Sequence, residues 1–131
     1  MSDSPAAVFR RIAEAVLNSN NLDAIDDLVA EDYFDHDGGE VGRERYRERI
    51  ESVRRMFADL HMTIEDTIEE GDKAAVRFTV SATHVGEFMG VAVTEKRVSW
   101  QGTGIIRVTD GKMAERWNVS DMIGLLSQIQ D

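Results

Sequence analysis

The sequence has no cysteine among its 131 residues, so disulfide bonds and thiolate metal sites are excluded. This composition fits a reducing compartment, and we expect a cytoplasmic protein without a cleavable leader. Long apolar runs are also absent. Because a membrane-spanning helix needs about 18 or more consecutive apolar residues, no membrane partner is expected.

Positive charge is scarce as well. The chain has 15 Lys and Arg residues against 25 Asp and Glu residues, which gives a net charge of −10. Nucleic acids and anionic membranes both require a cationic surface, so neither is expected as a partner. The hydrophobic content of 42% is that of an ordinary globular protein, and the length predicts a single domain over residues 1–131.

The usual signatures of cofactor sites are missing. The three histidines have no close spacing, and the segment around Asp35 and Asp37 lacks the first carboxylate of a calcium loop. Gly102-x-Gly104 lacks the third glycine of a dinucleotide-binding turn. We therefore expect neither a metal nor an organic cofactor.

The first half of the chain has helical periodicity. Apolar residues recur at helical spacing from Ser4-Pro5 to Asn18, then over 22–29, and again over about 43–58. The last of these segments interleaves six arginines with glutamates. We interpret it as an ion-paired surface that faces solvent, with a patch that binds anions as the alternative.

From residue 62 onward the apolar residues alternate, which indicates strands. We predict strands over 62–68, 73–84 and 97–108, then a last strand that ends at Asp121 and a short helix over 122–130. Helices followed by antiparallel strands describe an α+β domain. If helices cover one face of a curved sheet, a pocket for a small molecule is expected between the two layers.

The last strand carries the main candidate for chemistry. Alternate residues of a strand share a face, and this parity places the carboxylate of Asp121 on the same mostly apolar face as Trp117. A carboxylate in apolar surroundings is costly unless it is paired or protonated. Asp121 is therefore predicted to be a general acid/base. The alternative is that Asp121 caps the helix that begins at Met122.

Two histidines are candidates for polar partners in the pocket. His84 has the parity of Val80 and Ala82, so it should point inward, either as a catalytic partner of Asp121 or as a satisfied interior histidine. His36 lies near the expected pocket mouth and serves either the pocket or a local turn. The predicted walls are large apolar or aromatic side chains: Tyr33, Phe88, Met89, Trp100 and Trp117.

An ordered series of segments extends over most of the chain: Tyr33 to His36 with Gly42-x-Glu44, Phe57 to Leu60, Thr83 to Gly90, Asp110 to Lys112, Glu115 to Trp117 with Asp121, and Leu125-Leu126. In this series the sequence resembles the SnoaL-like polyketide cyclases, a branch of the nuclear transport factor 2-like superfamily. The resemblance implies a cone-shaped barrel in which three helices wrap a strongly curved antiparallel sheet. It also implies dimerisation through that sheet.

The same resemblance implies an apolar pocket in which an aspartate on the last strand acts as general acid/base. Asp121 stands at the matching position. Members of the family close a ring by an intramolecular aldol reaction without a metal or an organic cofactor. The sequence departs from the family pattern between Gly90 and Glu95, where a proline-rich loop is common.

The leading hypothesis is therefore a cofactor-independent cyclase or isomerase. It would act on a small apolar carbonyl or polycyclic compound, with Asp121 and His84 as catalytic residues. The altered loop between Gly90 and Glu95 motivates a competing hypothesis, a noncatalytic module of the same fold that binds hydrophobic ligands or dimerises.

Overall fold

The computed structural model describes residues 4–130. Its helices lie mostly in the first half of the chain, as predicted. The Ser4 hydroxyl caps the first of them by accepting a hydrogen bond from the Ala7 N–H at 3.2 Å. The helices are α1 (Pro5–Arg11), which continues as a π-helical segment (Ile12–Asn18), a 3₁₀ turn (Leu22–Ala24) that leads into α2 (Ile25–Leu28), α3 (Arg43–Met56) and α4 (Met122–Ile129).

The strands form one curved sheet that does not close on itself. They are β1 (Val29–Asp35), β2 (Glu40–Val41), β3 (Phe57–Glu70), β4 (Lys73–His84), β5 (Arg97–Thr109) and β6 (Lys112–Ser120). Their spatial order is β2-β1-β6-β5-β4-β3. The α+β architecture is confirmed, but the sheet is not wholly antiparallel, because β1 pairs with β6 in parallel and covers an edge that would otherwise be open.

The core lies between the helices and one face of the sheet. Alternate residues of β4, from Ala74 to His84, are buried as the period-two pattern predicts. Helix α1 contributes Val8 and Phe9, and the Phe9 ring lies 6.5 Å from that of Phe78. Within residues 4–130 no helix is both long and apolar enough to cross a membrane.

A bulge at Ala114 reverses the predicted faces of β6. The register passes from Val108 opposite Met113 to Arg107 opposite Glu115, so Ala114 is an extra residue in β6. Beyond it, Trp117 lies opposite Ile105 on the outer face, and Arg116 lies opposite the buried Ile106 on the inner face. The prediction that Trp117 and Asp121 share an inward face is therefore wrong.

The glycines of β5 do not interrupt the sheet. Pairing with β4 runs without a break through Gly102 and Gly104, so neither glycine forms a bulge. Gly102 lies on the inner face, where a Cβ atom would overlap the ring of Phe78. The absence of a side chain here lets an aromatic ring lie directly against the strand.

Candidate active site

A cavity of about 760 Å³ lies between α3, β5 and α4. This volume falls within the range of ligand pockets, roughly 300–1,000 Å³. Fourteen residues line it: Glu40, Arg45, Glu48, Arg49, Glu51, Ser52, Val53, Arg55, Met56, Phe57, Phe88, Trp100, Met122 and Leu125. Of the predicted wall residues, the structure brings Phe88 and Trp100 together here.

One end of the cavity is aromatic and centred on Phe57. Its ring centroid lies 5.2 Å from that of Phe88 and 5.3 Å from that of Trp100. Phe88 reaches this position from the loop between β4 and β5, where Phe88 and Val91 exchange backbone hydrogen bonds of 3.0 and 2.8 Å. Met89 occupies the tip of that turn and is 65% exposed, so the prediction that it lines the pocket is wrong.

The other end of the cavity is charged and is built mainly by α3. Arg45 binds Glu40 at 2.6 Å and Glu48 at 3.0 Å. Arg49 binds Asp37 at 2.8 Å and Glu40 at 3.3 Å. These contacts support the interpretation of this helix as an ion-paired surface. They also leave the ligand cavity with one apolar end and one polar end.

His84 is completely buried beside the aromatic end. Its ring lies 5.7 Å from the ring of Phe57, but His84 itself is not among the lining residues. The Thr94 N–H donates to Nδ1 at 3.3 Å, and the Thr94 hydroxyl lies 2.9 Å from the same atom. The Thr94 hydroxyl oxygen accepts from the Lys96 N–H at 3.2 Å, and its proton can be directed to Nδ1 at the same time.

A backbone N–H can only donate, so the contact with Thr94 assigns Nδ1 as an acceptor. With Nδ1 accepting, the neutral ring carries its proton on Nε2. Within the described chain Nε2 is buried and has no hydrogen-bond partner. A buried donor without an acceptor is costly.

Asp121 does not lie in the cavity. It is the N-cap of α4, exposed to solvent, and its carboxylate accepts a hydrogen bond of 2.8 Å from the Gly124 N–H. The alternative reading of this residue as a helix cap is the one the geometry matches. The inward positions at the end of β6 are occupied instead by Asn118 and Ser120, opposite Gly104 and Gly102.

Two further predicted residues lie on the outer face of the sheet. His36 stacks on Trp117 with ring centroids 4.4 Å apart, and its Nε2 lies 2.7 Å from a carboxylate oxygen of Glu115. Hydrogen bonds from Arg107 and His36 hold the pKa of Glu115 below its usual range. His36 and Trp117 therefore do not contribute to the inner cavity, because the bulge directs this part of β6 outward.

Tyr33 belongs to a buried polar cluster that sequence reasoning did not identify. Its hydroxyl donates to Asp35 at 2.8 Å, and Arg116 Nε donates to the same carboxylate at 3.2 Å. Asp35 is 1% exposed and also accepts from the Asp37 N–H at 2.9 Å. Burial raises the pKa of Tyr33, so the phenol stays protonated. The period-two pattern of β1 could have indicated this cluster, because Tyr33 and Asp35 share a face of the strand.

The outer face of the sheet carries a second, apolar groove of about 460 Å³. Its apolar members are Ile68, Ala75, Val76, Ile105, Trp117 and Val119. Ile68 and Val119 are 72% and 73% exposed. Asp66, Arg77, Thr103 and Asn118 also line this groove. In the described part of the chain, no group of three or more His, Asp or Glu side chains is arranged to hold a metal ion.

The sequence matches a known protein family. The profile of the SnoaL-like polyketide cyclases matches residues 7–129. Nogalonic acid methyl ester cyclase from Streptomyces nogalater is 25% identical over 122 residues, which cover 89% of this chain and 91% of the relative.

Solved structures give the same relationship. AclR from Streptomyces galilaeus, a proposed hydroxylase, is 33% identical with a TM-score of 0.83, over 95% of this chain and 94% of AclR. IdmH from Streptomyces antibioticus, a proposed polyketide cyclase, is 29% identical with a TM-score of 0.82, over 95% and 96% of the two chains. The chain therefore belongs to the SnoaL-like polyketide cyclase family, whose members include the nogalonic and aklanonic acid methyl ester cyclases.

Proposed function

We propose that the protein catalyses a ring closure or isomerisation of a small, largely apolar carbonyl compound by acid/base chemistry, without a cofactor. The observation that carries this proposal is the cavity of about 760 Å³ with an aromatic end at Phe57, Phe88 and Trp100. Flat ring systems pack favourably against such side chains. The esters named for the relatives, nogalonic and aklanonic acid methyl esters, have the size and chemistry to be tested first.

An aldol closure needs two things from the protein. A base removes a proton from the carbon next to a carbonyl group, and the resulting enolate carbon bonds to a second carbonyl carbon. The alkoxide formed there then takes up a proton, so no external reagent is consumed. A hydrogen-bond donor directed at either oxygen stabilises the negative charge that develops on it.

His84 supports the role of donor. Its Nε2–H is buried and has no partner, whereas Nδ1 is held by Thr94. The His84 ring packs against that of Phe57, and Phe57 lines the cavity. In this proposal Phe57 turns aside when the ligand enters, and a ligand oxygen accepts a hydrogen bond from Nε2–H.

Asp121 is proposed as the base only from the family pattern. Its carboxylate faces solvent at the start of α4, and the following residue, Met122, lines the cavity. To reach the ligand, the carboxylate must leave the Gly124 N–H and turn across the first residue of the helix. The proposal therefore includes a rearrangement of this helix start on ligand binding.

The alternative function is a noncatalytic module that binds the same class of ligand. One observation favours it. The inward end of β6 carries Asn118 and Ser120, which do not ionise near neutral pH, in the place where an enclosed carboxylate was expected. Of the cavity carboxylates, Glu40 and Glu48 are already paired with arginines.

Turnover by variants of Asp121 separates these functions. Purified protein is incubated with aklanonic acid methyl ester, and ring closure is followed as a change of chromatographic retention at constant mass. Asn and Ser both cap helices well, so Asp121→Asn and Asp121→Ser should keep wild-type stability but lose turnover if Asp121 is the base. Turnover equal to that of the wild type in both variants contradicts that role. If the wild type binds the ester without converting it, the noncatalytic module is supported.

We also propose a homodimer formed through the outer face of the sheet, in a cytoplasmic setting. The apolar groove around Ile105 and Trp117 supports the dimer because its exposed side chains would gain burial against a second copy.

A further inference from the structure

The arginines of α3 are not equivalent in their contacts. Arg45 and Arg49, which line the cavity, each bind carboxylates of the protein. Arg54 donates to the carbonyl oxygens of Val16 and Leu17 at 2.8 and 2.7 Å and so closes the end of the π-helical segment. Each of these three side chains has partners within the protein, although the buried Nε of Arg54 has none in the described chain.

Arg55 differs from all of them. It is exposed and lines the cavity, yet no hydrogen bond, ion pair or ring contact is found for its side chain. Among the lysines and arginines of residues 4–130 it is the one for which this is true. In a chain with a net charge of −10, a cation at the mouth of a cavity is rarely left without a carboxylate.

The backbone of Arg55 is held firmly although its side chain is free. The N–H groups of Val85 and Gly86 donate to the carbonyl oxygen of Met56 at 2.9 and 3.1 Å. A Cβ atom at Gly86 would overlap the Arg55 carbonyl oxygen, so the loop after β4 lies directly on the end of α3. This contact fixes the point from which the guanidinium extends and brings it to the same loop that supplies Phe88.

We infer that Arg55 binds an anionic oxygen of the ligand, a carboxylate or an ionised phenol, while the apolar rings of the ligand lie against Phe88 and Trp100. The inference rests on the proposed function, because it assigns the polar end of a ligand in the same cavity. A guanidinium presents a planar pair of donors that matches a carboxylate.

The test compares two ligands that differ only in charge. Anthraquinone-2-carboxylate and its neutral carboxamide are titrated calorimetrically into the wild type, Arg55→Gln and Arg45→Gln. Arg55→Gln should weaken the binding of the carboxylate on the order of tenfold, as expected for loss of one charge-assisted contact near the surface. It should leave the affinity for the carboxamide unchanged. Arg45→Gln is the matched control, since this arginine lines the same cavity but is already paired.

Ionic strength and an ionised phenol extend the test. Raising the salt concentration should weaken the binding of the carboxylate and not that of the carboxamide. If any anionic oxygen suffices, 2-hydroxyanthraquinone above its own pKa should bind like the carboxylate. If Arg55→Gln weakens both ligands equally, or neither, the inference is overturned while the cavity remains a ligand site. If neither ring system binds the wild type, the ligand cavity is contradicted and the inference with it.

A purely structural role for Arg55 predicts a different result. As a cation in the last turn of α3 it stabilises the helix dipole, and its loss would then lower the free energy of unfolding without selecting between the two ligands. Urea unfolding of Arg55→Gln measures that effect separately. A selective loss of the carboxylate at unchanged stability is the outcome that supports the inference.

Discussion

At the scale of single residues, the functional meaning of a side chain depends on one or two neighbours. His84 was predicted to point inward, and it is completely buried. Its tautomer could not be predicted, because Thr94 lies ten residues away in a loop of no regular pattern. Because the contact with Thr94 engages Nδ1 and Nε2 has no partner in the described chain, the role proposed for His84 is that of a donor rather than a base.

Two substitutions of His84 test this assignment. Asn places an amide near the position of Nδ1 and keeps a contact with Thr94, whereas Gln reaches the position of Nε2. His84→Asn should lower kcat on the order of 10²-fold, the usual effect of losing one donor to a developing oxyanion, and His84→Gln should retain much more activity. Equal activities of the two variants, at equal stability, would rule out a donor role for Nε2.

Asp35 is another buried polar residue whose role depends on its neighbours, and that role is structural. Its buried carboxylate joins the Tyr33 hydroxyl and the Arg116 guanidinium. Because Asp35→Asn leaves the Arg116 charge without a partner, it should lower the free energy of unfolding by about 2–4 kcal/mol. Urea unfolding measures the change. Asp66→Asn, which breaks the exposed pair with Arg77, is the control and should cost about 1 kcal/mol or less.

A loss of less than about 1 kcal/mol for Asp35→Asn would contradict this assignment. It would mean that Arg116 finds another partner. In the described structure the carboxylate that Arg116 binds is that of Asp35, at 3.2 Å.

At the scale of elements, most helices and strands were predicted, but β1, β2 and the full length of β3 were not, and the faces of β6 were predicted wrongly. Period-two patterns gave β4 with the correct inward residues, since no irregularity interrupts it. In β6 the extra residue Ala114 reverses every side chain that follows. A bulge leaves no mark in the sequence here, because Ala114 is as small and apolar as any core residue. Because of this bulge, Trp117 lies outside the predicted site and Arg116 lies in the buried cluster.

Helix α4 closes one side of the cavity and is fastened by a side chain. The Gln128 amide donates to the Ser99 carbonyl at 2.7 Å and accepts from the Ser99 N–H at 2.9 Å, in the manner of a neighbouring strand. Gln128→Ala should lower stability by about 1–2 kcal/mol and speed hydrogen exchange of the Ser99 amide. Ser127→Ala is the matched control, because this hydroxyl bonds only within the helix.

Unchanged exchange at Ser99 in Gln128→Ala would show that the apolar contacts of Leu125 and Ile129 hold α4 without help. Faster exchange that is confined to Ser99 and α4 would show that this wall of the cavity opens as a unit.

At the scale of the whole molecule, helices cover one face of the sheet, and the other face carries an exposed, largely apolar groove. That face exposes Ile68, Ile105 and Val119 at 72%, 43% and 73%. Val119→Glu should convert the proposed dimer into a monomer, because a charge in an apolar interface is desolvated without a partner. Light scattering after gel filtration gives the mass directly.

The control for this prediction is Ile123→Glu. Ile123 is even more exposed, at 83%, but it lies on α4 and outside the groove. A monomeric wild type, or a dimer that survives Val119→Glu, would contradict an interface at this face.

The family relationship could be recognised from segments spread along the chain, whereas the cavity wall could not be fully predicted. Phe88 and Trp100 were identified, but Phe57, Met122 and Arg55 were not, because their positions depend on how the end of α3 meets α4 across the sheet. Contacts between elements distant in sequence have no local pattern. The sequence pattern therefore identifies the scaffold more securely than the chemistry.

The most direct test of the proposed function is a crystal structure with the aromatic ester that the protein converts or binds most tightly. The rings should lie between Phe88 and Trp100, with a carbonyl oxygen within hydrogen-bond distance of His84 Nε2 after Phe57 has turned aside. Ser52→Trp, which fills the opening of the same cavity, should abolish binding. Ligand density in the outer groove at Trp117, or binding that survives Ser52→Trp, would contradict a site between α3, β5 and α4.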